Sequence, residues 1–175
     1  MSITSIKPGP DAIEYFGVRV EVRDDCRILI VRASGFQTPS RASECFEFLQ
    51  EVLELTGIRD LALDLRHAYW PAISDDIAPL IGEHAAKIPA ARIFILCRCT
   101  HSPGMDSAIR TLRRAGHCVD VHCEEASLIA ALNARALPAA RGAPLRQRLA
   151  QSSLVLRRLA RTWDTRRSGR LSENR

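Results

Sequence analysis

The chain has 175 residues and a formal net charge of +5, and 46% of its residues are hydrophobic while only 5% are aromatic. This composition predicts one domain with a substantial hydrophobic core, plus a smaller appended segment. No apolar run approaches the ~18 residues of a membrane span, and the first residues lack the basic and apolar segments of a secretion signal. We therefore expect a cytoplasmic protein whose six cysteines are free thiols.

The positive charge is concentrated in the last quarter of the chain. Residues 134–175 contain 11 arginines and two acids, a net charge of +9, which leaves −4 for residues 1–133. An acidic globular part thus precedes a basic tail. Only two of the 25 basic residues are lysines, which indicates a coding preference for arginine, so the arginine count is weak support for nucleic-acid binding.

Residues 1–17 are predicted to be a loose lead-in, and an antiparallel hairpin follows them. Val18, Val20 and Val22 alternate with charged residues, which is typical of a strand with one solvated face. Residues 26–33 form the predicted return strand.

The first helix and the central strand have clear sequence signals. Thr38 can cap a helix, Pro39 suits its first position, and Gly57 suits its C-terminal end. The apolar run Leu61–Leu65, broken only by Asp64, predicts a strand buried on both faces of a mainly parallel sheet.

The remaining segments alternate between helices and strands up to residue 137. The second helix begins close to Asp76 and ends at Pro89, and the third begins at Ser102-Pro103 and ends at Gly116. In chain order the later strands and the last helix are Ala91–Cys97, Cys118–Cys123 and Ala126–Leu137.

These elements predict an α/β fold: a mixed sheet of about five strands, an N-terminal hairpin followed by βαβαβα, covered by about four helices. The domain extends over residues 18–137. Residues 138–164 are a linker and a basic amphipathic helix, and we expect residues 165–175 to be disordered.

Several strings carry a family resemblance. They are ASGFQTP at Ala33–Pro39, LALDLRHAYWP at Leu61–Pro71, RIFILC at Arg92–Cys97, and a polar helix start at Ser74. With the order of the elements, they make residues 18–133 resemble the STAS and SpoIIAA-like domains, and among these the stand-alone STAS/SEC14-like proteins. The resemblance implies a module without catalysis or cofactor that binds a protein or a small ligand.

The carboxyl end of the central strand is the predicted site, because ligands of open α/β sheets lie there. Asp64, Arg66 and His67 could form a polar functional cluster. We favour the alternative that Asp64 is satisfied by backbone N–H groups or an arginine. Tyr69 and Trp70 are candidate interface anchors, unless Trp70 folds back onto a helix.

Ser74 is the residue at which the resemblance implies phosphorylation by a partner kinase. The aspartate that precedes this serine in the family pattern is missing here, and Asp75 and Asp76 follow it. Two acids would repel a phosphate. We therefore favour a helix-capping role for Ser74, within an interaction surface that includes Asp75 and Asp76.

The cysteines and histidines suggest no metal site. Zinc sites use CxxC-type spacings, and the chain has none. Cys97 and Cys118 occupy strand positions where cysteine acts as a small hydrophobic residue, and Cys45 lies on an apolar helix face. The alternative is a metal site built from two neighbouring strands, which could bring together Cys97, Cys99, His101, His117, Cys118, His122 and Cys123.

The tail contains one apolar stripe at helical spacing. We expect this helix to pack on its own domain or pair with a second copy of the chain, and we place an anionic membrane surface second and nucleic acid last. The stripe consists of Leu145, Leu149, Leu156, Leu159 and Trp163.

Three functions are open at this point. We favour a non-enzymatic adaptor with an unidentified protein partner over a small-ligand or lipid carrier, and both over a cysteine- or metal-dependent enzyme. An enclosed apolar pocket against the sheet would favour the carrier, whereas a flat polar surface around Ser74 would favour the adaptor.

Overall fold

The structure is a computed structural model. The residues that it describes are 5–6, 12–15, 17–23, 28–36, 38–69, 77–89, 91–98 and 103–135. They form, in chain order, β1 (Ile13–Tyr15), β2 (Val18–Arg23), β3 (Ile28–Phe36), α1 (Pro39–Thr56), β4 (Asp60–Tyr69), α2 (Ile77–Lys87), β5 (Arg92–Leu96), α3 (Pro103–Arg114), β6 (Cys118–His122) and α4 (Glu125–Arg135).

The predicted α/β fold is confirmed, because each expected strand and helix of the domain is present. The structure adds β1, a three-residue strand inside the predicted lead-in. Its backbone pairs with β2 in an antiparallel register in which Ile13 lies opposite Val20. Three residues are too few for a periodic pattern, and only this pairing makes the segment a strand.

The strands form one sheet in the order β1-β2-β3-β4-β5-β6. β1 is antiparallel to β2, and β2 is antiparallel to β3, whereas β3 to β6 run parallel to one another. β4 is central, with Leu61 aligned with Leu29 on β3 and with Ile93 on β5. The apolar run of β4 is thus explained by burial on both sides of a parallel sheet.

The ends of α1 match the predicted signals. Thr38 has extended backbone angles, and its hydroxyl accepts a hydrogen bond from the N–H of Arg41 at 3.3 Å. Gly57 ends the helix in the left-handed region with φ 66°, and its N–H donates to the Leu53 carbonyl at 3.0 Å. Glycine adopts this conformation without the steric cost that a side chain brings.

The helices divide between the two faces of the sheet. α1, α2 and α3 pack on one face, in a core that includes Phe48, Ile81 and Ile109. α4 packs on the other face, where Leu128 contacts a second core containing Phe94. Successive right-handed crossovers between adjacent parallel strands place their helices on one side, so α1–α3 form a single layer.

Candidate functional site

Asp64 lies towards the carboxyl end of β4 and is almost fully buried, with 1% of its surface exposed. Arg32 Nε on β3 donates to its Oδ2 at 2.9 Å. The Arg66 guanidinium donates to both carboxylate oxygens, each at 2.9 Å, and the Arg66 backbone N–H donates to Oδ1 at 3.2 Å. The interpretation that arginines and backbone satisfy Asp64 is therefore confirmed.

The arginines also keep the Asp64 carboxylate ionised. Burial alone would raise its pKa, but the hydrogen bonds from Arg66 and the charges of Arg66 and Arg32 outweigh burial and hold the pKa of Asp64 below its usual value. The hydrogen bond to Asp64 in turn raises the pKa of Arg66. A carboxylate whose lone pairs are occupied in this way is not available as a general base.

The same cluster connects the sheet to α4. Arg66 donates a further hydrogen bond, at 2.9 Å, to Oε2 of Glu125 in the first turn of α4. The other oxygen of Glu125 accepts the backbone N–H of Ile6 at 3.4 Å. We call Arg32, Asp64, Arg66 and Glu125 the arginine–carboxylate cluster. Its contacts attach α4 and the N-terminal segment to the sheet, which is a structural role.

The other predicted site residues are not assembled with this cluster in the described part of the chain. His67 is exposed on β4 and has no hydrogen bond to the cluster there. Tyr69 is the last residue of β4. The remaining site and tail positions lie outside the described residues, so their roles stay predictions: Trp70, Ser74, Asp75, Asp76, Leu145, Leu149, Leu156, Leu159 and Trp163.

The described cysteines differ in burial. Cys97 is buried and Cys45 packs against the core, as predicted. Cys118 is exposed, so the prediction that it acts as a hydrophobic strand residue was wrong, because β6 is an edge strand of the described sheet and Cys118 is its first residue. Among the described residues, none of these cysteines is in a disulfide, and no group of three or more His, Cys, Asp or Glu could hold a metal ion. Cys99 and His101 lie outside this part.

His117 is a buried structural residue. Pro89 has no N–H, so the Ala85 carbonyl at the end of α2 lacks its usual helical donor. His117 supplies one: the Ala91 N–H donates to its Nδ1 at 3.2 Å, which leaves Nε2 to carry the proton and donate to the Ala85 carbonyl at 2.9 Å. Both ring nitrogens are thereby occupied.

A cavity that the sequence did not predict lies between the sheet and the α1–α3 layer. Its volume is about 120 Å³, and every described side chain that lines it is apolar. Strands β2–β5 contribute residues such as Val31 and Ile95, and the helices contribute Phe46. The only hint in the sequence is the small size of Ala42 and Ala108 at core-facing helix positions, where larger side chains would fill the space.

The cavity wall is most accessible at the carboxyl edge of the sheet. The half-buried lining residues are Leu63 and Leu65 on β4, Cys45 and Phe46 in the first half of α1, and Met105 near the start of α3. Helices α1 and α3 begin where β3 and β5 end. The cavity therefore opens towards the edge where open α/β sheets bind their ligands.

A polar pair, formed by a half-buried serine and a buried histidine, lies beside the cavity between α1 and α2. Ser43 Oγ and His84 Nε2 are 2.9 Å apart, and His84 is 3% exposed. The imidazole stacks on the ring of Phe46 with centroids 5.5 Å apart and an interplanar angle of 13°. In the sequence, His84 follows Ile81 by three positions, on an apolar helix face, but no local pattern pairs it with a serine 41 positions earlier.

Comparisons of the chain with models of protein families, with curated proteins and with solved structures found no match. The resemblance to STAS and SpoIIAA-like domains stays a prediction, although the fold class that it implies is present. In the described part of the chain, no helix is both long and apolar enough to cross a membrane.

Proposed function

We propose that this protein is a non-enzymatic binding domain that holds an apolar ligand between its sheet and helices α1–α3. The cavity of about 120 Å³, whose described lining side chains are all apolar, is the observation that carries the proposal. It corresponds to the carrier function that the sequence left as the alternative to an adaptor. The adaptor function depends on the surface from Tyr69 to Asp76, and it stays a prediction.

The energy of an empty cavity supports this function. At ~24 cal/mol per Å³, 120 Å³ of unfilled core lowers the free energy of unfolding by about 3 kcal/mol. The total free energy of unfolding of a domain is only ~5–15 kcal/mol. An apolar ligand restores the missing dispersion contacts and stabilises the folded state in proportion to its concentration above Kd.

The wall chemistry and the volume define the ligand class. None of the described side chains that line the cavity carries a charge, so a charged group beside them would lose its hydration without compensation. Apolar cavities of roughly 150 Å³ stay dry and bind benzene. The ligand is therefore a small ring, or the end of a longer hydrocarbon chain whose remainder leaves through the carboxyl-edge opening.

Ala108→Leu is the variant that tests this site, because Ala108 is buried on α3 and lines the cavity. Its leucine fills the space that the ligand needs. Ala86→Leu is the matched control, since Ala86 is an exposed residue on α2. Wild type and both variants are titrated with benzene while the methyl NMR signals of Leu63 and Ile95 are followed. The same proteins, purified from host cells, are then extracted with organic solvent for mass spectrometry.

We expect saturable methyl shifts and one co-purified class of apolar molecule in wild type and in Ala86→Leu. Both should be absent from Ala108→Leu, which should also unfold at a higher temperature because its core is better filled. Absence of saturable shifts in wild type would refute the proposal. So would the same extracted molecule, in equal amount, from Ala108→Leu.

A further inference from the structure

His84 has a ring nitrogen that lacks a partner in the part of the chain that the structure describes. Its Nε2 is paired with Ser43 Oγ at 2.9 Å, whereas its Nδ1 is buried and has no hydrogen-bond partner among the described residues. If Ser43 donates to Nε2, Nδ1 carries the proton and is an unpaired donor. If Nε2 donates to Ser43, Nδ1 is an unpaired acceptor. A buried polar atom without a partner is costly in either case.

The imidazole is close to the cavity. Ile81 on α2, three positions before His84, and Ile88, the residue that follows α2, both line the cavity. Phe46 both stacks on the imidazole and lines the cavity. The half-buried Phe46 ring is therefore a side chain that the imidazole and the cavity share.

We propose that His84, oriented by Ser43, binds one uncharged hydroxyl group of the ligand through Nδ1. This inference rests on the proposed function and narrows it to an apolar alcohol or phenol. A hydroxyl both donates and accepts, so it pairs with either tautomer of His84. A carboxylate or an ammonium group would instead place a charge against an apolar wall.

Benzene and phenol are the probes, because they share a ring and differ by one hydroxyl. Their Kd values are measured for wild type, for His84→Phe, and for His122→Phe as the control. His122 also has a buried nitrogen, Nε2, without a partner among the described residues, but it stacks on Phe94 in the core on the α4 face. The histidine ring ¹⁵N signals of wild type are recorded with each probe, so the test does not depend on the variants folding.

The affinity for phenol relative to benzene should fall about three- to tenfold in His84→Phe, as the loss of one hydrogen bond predicts. It should be unchanged in His122→Phe. In wild type, phenol should shift the Nδ1 signal of His84 and benzene should not.

Two results would overturn this inference and leave the proposed function intact, provided that benzene binds. One is an equal preference for phenol over benzene in wild type and His84→Phe. The other is the absence of a phenol-specific shift of the His84 Nδ1 signal in wild type. Failure of both probes to bind would overturn both.

Discussion

Replacing Asp64 by asparagine removes the one negative charge between two arginines. Asparagine has nearly the same shape, so the packing of β4 changes little. Its carbonyl oxygen can still accept the Arg66 backbone N–H, now 3.2 Å from Oδ1. Its amide N–H groups, however, face the donors of Arg32 and Arg66, which now bind Oδ2 at 2.9 Å. Two guanidinium groups are left facing each other without their shared acceptor.

The geometry sets the size of the loss. Breaking a fully buried ion pair costs about 3–5 kcal/mol. The side chains of Arg32 and Arg66 are 19% and 22% exposed, so water screens part of their charge. Arg66 also keeps its contact with Glu125. We therefore expect Asp64→Asn to lower the free energy of unfolding by about 2–3 kcal/mol at neutral pH.

Urea unfolding at pH 7.5 and near pH 3, followed by circular dichroism, measures this difference. Because the folded-state pKa of Asp64 is depressed below 3.8, its carboxylate contributes stability above the unfolded-state value, and this contribution is lost as pH falls through the folded-state value. The difference in the free energy of unfolding between wild type and Asp64→Asn should thus be smaller near pH 3 than at pH 7.5. The exposed Glu47 of α1 supplies the control Glu47→Gln, which should change stability by less than ~0.5 kcal/mol. A difference below ~0.5 kcal/mol at pH 7.5, or one that is not smaller near pH 3, would show that the Asp64 carboxylate does not stabilise the fold through its arginine contacts.

Three further outcomes are expected. His117→Phe leaves the Ala91 N–H and the Ala85 carbonyl without their partner, so chemical denaturation should show that the free energy of unfolding falls by about 2–4 kcal/mol. A decrease below ~1 kcal/mol would mean that other groups satisfy both atoms. Burial raises the pKa of Cys45 to about 11, so at pH 7.5 Cys45 should react with iodoacetamide more slowly than the exposed Cys118; equal rates by peptide mass mapping would contradict this. Saturating benzene should slow the reaction of Cys45 with iodoacetamide further, because Cys45 lines the cavity.

Local sequence signals were sufficient to predict most of the strands and helices and their order along the chain. The ends of α1 follow from Thr38, Pro39 and Gly57, whose effects act within one helical turn. The apolar run of β4 was enough to make it a central strand, since only a strand covered on both faces needs such a run. β1 was missed because its pairing with β2, and no pattern of its own, makes it a strand.

The sites depend on contacts between residues far apart in the chain. The sequence identified Asp64 as a residue that needs a partner, but Arg32, which binds it, is 32 positions earlier. Ser43 and His84 are 41 positions apart. Such pairs form only when the right-handed crossovers bring strands and helices side by side, and no local pattern encodes them.

The sequence by itself determined the fold class, the helix ends, and the need of Asp64 for a partner, because hydrophobic periodicity and capping are local properties of the chain. The tertiary structure alone decided which residues meet and where space is left. The cavity is space that the alanines of α1 and α3 leave against the sheet. Its volume depends on how closely the helix layer packs on the sheet, a property that only the assembled chain possesses.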